Sequence, residues 1–68
     1  MNILAFEKTF FETIKEHYPQ LNQNNIGFTY DLERKEISTL KTKNISLANN
    51  IKGDLLMLGK SLFQNFKN

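Results

Sequence analysis

An apolar stripe in the last third of the chain constrains the fold most. Leu47, Ile51, Leu55, Leu58, Leu62 and Phe66 recur at steps of three and four, the period of one helix face. At about 100° per residue these six fall within an arc of about 100°. Ala48, Leu56, Gly59 and Phe63 widen the arc to about 180°, so the helix needs cover along one whole side. Ser46 is placed to cap its first turn, and the expected helix runs over about 46–66. Two glycines oppose it, each costing about 1 kcal/mol relative to Ala in a helix interior. Gly59 lies inside the apolar arc, where a missing side chain lets another backbone approach. Gly53 projects to the polar side, and Gly53-Asp54 could divide the segment in two. The stripe keeps its phase across Gly53, which favours one helix.

A second helix is expected near the start, over about 2–18. Ile3, Phe6, Phe10, Ile14 and Tyr18 form its stripe, with Leu4 and Phe11 beside them. Asn2 can cap it, and Pro19 stops it by forcing the preceding residue out of helical geometry. Gln20 to Asn25 is a polar connector with Leu21 as its anchor. Ile26, Phe28, Tyr30 and Leu32 then alternate with Gly27, Thr29 and Asp31, the period of a half-buried strand. The chain reverses in Glu33-Arg34-Lys35-Glu36, which lacks the Asn-Gly or Asp-Gly of a two-residue turn and calls for a longer loop. A returning strand spans Glu36 to Lys41. Its apolar residues, Ile37 and Leu40, are three apart, so either a bulge intervenes or Leu40 is leaving the sheet.

The expected fold is therefore α+β, a single domain over residues 1–68 in the order α-β-β-α. Two helices pack on a β-hairpin that covers about 26–43. Phe10, Ile14, Phe28, Leu55, Leu58 and Leu62 are its expected core. Two strands alone are marginal, so two chains could join hairpins into a four-stranded sheet. A core of this size is small. With eight aromatic residues, the six phenylalanines are more than one small monomer is expected to cover, which points to a homodimer.

Composition narrows the functional classes. The sequence has no Cys, hence no disulfide, thiolate metal site or cysteine nucleophile. His17 is the sole histidine and has no nitrogen or sulfur partner with which to share a metal. At the end of the first helix it is placed to meet the last carbonyls. Glu12 and Glu16 share a helix face with nothing apolar around them, so they are expected to be solvated rather than a catalytic carboxylate pair. Ser38, Ser46 and Ser61 have no nucleophile-elbow context, and the glycines at 27, 53 and 59 form no phosphate loop. The expectation is a non-enzymatic protein with no cofactor and no metal. No stretch approaches the ~20 apolar residues of a membrane span. No basic segment followed by an apolar run opens the sequence, so a cytoplasmic protein is expected. Nine Asn, eight Lys and six Ile against one Arg and no Val reflect AT-rich codons, which fits a low-GC bacterium or its phage.

Charge is uneven. Residues 1–40 carry four basic and six acidic side chains, whereas residues 41–68 carry five lysines against Asp54. Lys52, Lys60 and Lys67 lie within about 80° of one another on the last helix, with Leu56 and Phe63 between them. These five residues, Lys52, Leu56, Lys60, Phe63 and Lys67, are the expected partner-binding strip. Lysines steer acidic partners, and apolar surplus on a small domain marks a protein interface. The leading expectation is a small protein that contacts another protein, as a phage or mobile-element regulator or inhibitor of a host protein. The alternative is a small basic nucleic-acid-binding module, since lysines interleaved with an aromatic can hold a single strand. A single arginine counts against base readout.

Overall fold

The computed structural model of the chain describes residues 2–65 and has the expected order. Helix α1 spans Ile3–His17, strand β1 Ile26–Asp31, strand β2 Glu36–Thr42 and helix α2 Asn49–Asn65. The strands form a two-stranded antiparallel sheet. Both helices pack on the same face of it, and the core lies between. Phe6, Phe10, Ile14, Leu21, Ile26, Ile37, Leu55 and Phe63 are buried there.

Local chemistry explains the elements. The Asn2 side chain caps α1, its Oδ1 accepting from the amides of Leu4 at 3.0 Å and Ala5 at 3.2 Å. Helix α1 ends ahead of Pro19, and the Tyr18 amide donates to the Ile14 carbonyl at 2.7 Å. The asparagines of the connector then satisfy its backbone from within. The Asn22 amide donates to Asn25 Oδ1 at 2.9 Å, the Asn24 amide to Asn22 Oδ1 at 2.7 Å, and Asn25 Nδ2 to the Gln20 carbonyl at 3.2 Å. With its polar groups met locally, the connector can drive Leu21 into the core.

The hairpin settles the phase question in β2. Thr29 pairs with Thr39 and Tyr30 with Ile37, so one extra residue, Ser38, bulges between them. The bulge returns Ile37 and Leu40 to the same inner face, three residues apart. On the outer face the Thr29 hydroxyl bonds those of Ser38 and Thr39. The loop is four residues long, with Lys35 in the left-handed region at φ 55°. Asp31 Oδ1 accepts from the Arg34 amide at 3.1 Å. Leu32 belongs to this loop rather than to the strand alternation and is 58% exposed.

Helix α2 departs from expectation in start and roll. It begins at Asn49, not Ser46, and the Ala48 carbonyl accepts from the amides of Ile51 and Lys52 at 3.1 and 3.0 Å. Asn44, at φ 61°, turns the chain, and residues 45–48 alternate half-buried and exposed. Ile45 and Leu47 thus anchor a non-helical approach, so Leu47 joins the core without joining the helical stripe. The helix runs unbroken through Gly53-Asp54. Its buried face is Leu55, Gly59 and Phe63, rolled by about 70° from the centre of the expected stripe. Leu58 and Leu62, expected inside, are half-buried. Phe28, also expected inside, is half-buried as well. Phe66, the last member of the expected stripe, lies outside the described residues.

Gly59 causes the roll. A Cβ built there would lie 2.7 Å from Ile37 Cγ1 and 3.0 Å from Phe10 Cζ. The close approach expected at this glycine is made by side chains from β2 and α1 rather than by a backbone. At Gly53 a Cβ would meet nothing within 4 Å. The two positions therefore predict opposite outcomes in urea melts. Gly53→Ala is expected to stabilise by about 1 kcal/mol through helix propensity. Gly59→Leu is expected to destabilise by about 1–3 kcal/mol through overpacking, in spite of leucine's better propensity.

Candidate interaction surface

The expected strip on α2 is only partly a surface. Lys52 and Leu56 are half-buried and Lys60 is exposed. They stand at i, i+4 and i+8, so they form one row along the helix. The Lys52 stem can lie along apolar surface while its ammonium stays in water. Phe63 belongs to the interior. It is 0% exposed, stacked on Phe6 with centroids 4.0 Å apart and planes at 15°, and edge-on to Tyr30 at 5.9 Å. It therefore supplies packing rather than contact area. Lys67 lies outside the described residues. The accessible remnant of the strip is Leu56 set between Lys52 and Lys60.

A second surface of the same make-up, on α1, was not among the sequence expectations. Phe11 is half-buried, with exposed Lys8, Glu12 and Lys15 around it. These residues, with Leu21 and the 22–24 connector, line an open groove of about 410 Å³. The sequence signal was present: Phe11 sits at the edge of the α1 stripe, with Lys8 and Lys15 one turn to either side. Leu4, 73% exposed, extends the same flank. Position on a stripe's edge alone does not tell a core residue from a rim residue. The connector forms the groove's other wall, a contact that the spacing along α1 does not encode.

The titratable groups serve as ties between elements. The Tyr18 hydroxyl donates to Asp54 Oδ2 at 2.9 Å, joining the end of α1 to the middle of α2. That hydrogen bond, with minor help from burial and the carboxylate charge, raises the Tyr18 pKa. His17 Nδ1 donates to the Thr13 carbonyl at 3.0 Å, the helix-end contact expected of it; a carbonyl partner makes the ring nitrogen the donor. His17, Tyr18, Asp54 and Ser61 line a shallow groove of about 390 Å³ with Met57 and Leu58. Among the described residues no cluster of three or more His, Asp or Glu could hold a metal ion. Nor is any helix there long and apolar enough to cross a membrane.

The Tyr30 hydroxyl donates to Glu7 Oε2 at 2.9 Å, partly buried. Burial first, then the hydrogen bond and the Glu7 charge, push its pKa well above the ordinary 10.0. The folded state therefore holds the Tyr30 proton more tightly than the unfolded chain does. The contribution to stability is complete below pH 10 and is lost as pH rises above it. Comparison with protein-family models, with curated proteins and with solved structures finds no match for this chain.

Two outcomes are expected. Stability of the wild type falls as pH is raised above about 10, and Tyr30→Phe reduces that fall while costing about 1 kcal/mol at neutral pH, both read by chemical denaturation. Phe63→Ala costs about 3–5 kcal/mol, so circular dichroism shows lost structure along with any lost binding.

Proposed function

We propose that this chain acts by contacting another protein, without catalysis of its own, as a small regulator or inhibitor of the kind phages and mobile elements carry. The reading rests on one observation. On two separate helices an apolar side chain stands half-exposed between lysines: Leu56 between Lys52 and Lys60 on α2, and Phe11 between Lys8 and Lys15 on α1. An apolar centre within a charged rim is the anatomy of a protein-binding patch. The lysines would steer an acidic partner toward it, and the apolar contact would hold it. The nucleic-acid alternative draws on the same lysines but loses Phe63, which is interior, and keeps only Phe11, on α1, as a ring between lysines.

Capture of partners on the immobilised chain, from a lysate of its source cell, tests the reading. A protein partner is expected to stay bound after nuclease treatment and at raised salt. Leu56→Ala and Phe11→Ala, checked for folding, are each expected to weaken capture if their patch is used. Lys60→Glu, an exposed change worth under about half a kcal/mol of stability, is expected to slow association. Loss of all capture on nuclease treatment, with affinity falling steeply in salt, would overturn the proposal in favour of nucleic acid.

A further inference from the structure

The outer edge of β1 is open, and the ladder shows which groups it presents. The Lys43 amide donates to the Asn25 carbonyl at 2.9 Å, making Asn25 and Lys43 a hydrogen-bonded pair. Antiparallel alternation then turns the backbone groups of Gly27 and Thr29 toward β2 and those of Ile26, Phe28 and Tyr30 away from it. The Ile26 amide is already taken by the Asn22 carbonyl at 3.1 Å. Among the described residues Phe28 and Tyr30 meet no third strand, since the sheet has two. A groove of about 230 Å³ follows this edge, lined by Glu7, Phe11, Gln23, Ile26, Gly27 and Phe28. The half-buried rings of Phe11 and Phe28 meet in it at 5.9 Å.

The two edges of the sheet differ. Strand β2 carries a bulge at Ser38 and a lysine at 41, with Lys43 following. Bulges and lysines are the usual devices that keep edges from pairing. Strand β1 has neither bulge, lysine nor proline along Ile26–Asp31.

We infer that β1 pairs with β1 of a second copy of this chain, antiparallel about a two-fold axis at Thr29, to give a four-stranded sheet. The register is self-complementary. Phe28 faces Tyr30 of the second copy, Thr29 faces Thr29, and Gly27 faces Asp31. The only outward groups used are those of Phe28 and Tyr30, and each copy supplies two donors and two acceptors. Phe28 and Tyr30 lie on the helix-covered face, so their pairing continues the aromatic cluster across the axis. Thr29 pairs on the outer face. Aromatic and Thr–Thr cross-strand pairs both stabilise, and no like charges oppose each other. The same residue meets itself on the axis, as a two-fold interface requires, which favours a second copy over an unrelated strand.

Thr29 supplies the test, because it is exposed and its side chain would face its own copy. Sedimentation of the full chain at tens of micromolar is expected to give about twice the single-chain 8.0 kDa. Like charges directly opposite destabilise a pair, so Thr29→Lys and Thr29→Glu alone are each expected to weaken dimerisation about tenfold. Mixing the two variants is expected to restore it as a heterodimer. Thr29→Cys, in a chain with no other cysteine, is expected to form a disulfide dimer on mild oxidation, whereas Thr39→Cys on β2 is not. A wild-type mass of 8.0 kDa up to several hundred micromolar would overturn the inference. So would a dimer that ignores the charge variants and crosslinks no better at 29 than at 39, since its interface would lie elsewhere.

Discussion

The fold depends on the absence of a side chain at residue 59. Ile37 from β2 and Phe10 from α1 both press into the space a Cβ would fill, so three elements meet at one point of α2. Everything nearby follows from that contact. The helix can approach the sheet closely only by turning Gly59 toward it, and turning Gly59 inward carries Leu55 and Phe63 inward with it. Phe63 then reaches the stack on Phe6 and the edge of Tyr30. Phe6 and Phe10 stand 5.4 Å apart and Phe10 and Phe28 4.7 Å apart. One run of aromatic contacts therefore passes from α2 through α1 to β1. Leu58 and Leu62 are left at the rim by the same rotation.

Stripe and alternation made the element types and their order legible, because periodicity is a property of consecutive residues. Asn2 as cap, Pro19 as stop, Leu21 as anchor and the break of alternation in β2 were readable for the same reason, each being local, whereas the choice between a bulge and a departing Leu40 needed the pairing with β1. The roll of α2 was not. An arc of about 180° says which half of a helix is apolar, but its centre is chosen by what packs against it. That choice depended on Ile37, on another element. The start of α2 failed similarly: Leu47 fits the helical spacing, yet an extended 45–48 segment buries Ile45 and Leu47 equally well. Of the expected contact strip, the Lys52–Leu56–Lys60 row survives as surface. Phe63 does not, because its position at the edge of the arc became the centre once the helix rolled.

The aromatic surplus also changes meaning in the structure. Phe6, Phe10 and Phe63 are fully covered within one chain, so crowding of phenylalanines no longer argues for a second copy. Among the described phenylalanines, those left half-covered are Phe11 and Phe28, on neighbouring elements beside the open edge of β1. The case for self-association passes from composition to geometry, from how many rings there are to which backbone groups stand next to the uncovered ones. Small sheets gain independent stability from a third strand onward, so an open edge beside half-covered rings is where a two-stranded sheet has most to gain.

Charge placement is consistent with that edge. The net positive charge belongs to residues 41–68, whose described lysines stand on the end of β2, the connector after it and α2. Strand β1 carries only Asp31. Pairing through β1 gives the strand order β2-β1-β1-β2 and holds the lysine-bearing elements of the two copies at opposite ends of the sheet. Pairing through β2 would bring them together, at a cost in like-charge repulsion that screening only partly removes. An assembly through β1 would also leave the Lys52–Leu56–Lys60 row uncovered on each copy. The two surfaces would then act together rather than compete: β1 would join the copies, and the paired α2 rows would offer one acidic partner two sites, raising its apparent affinity without any new contact.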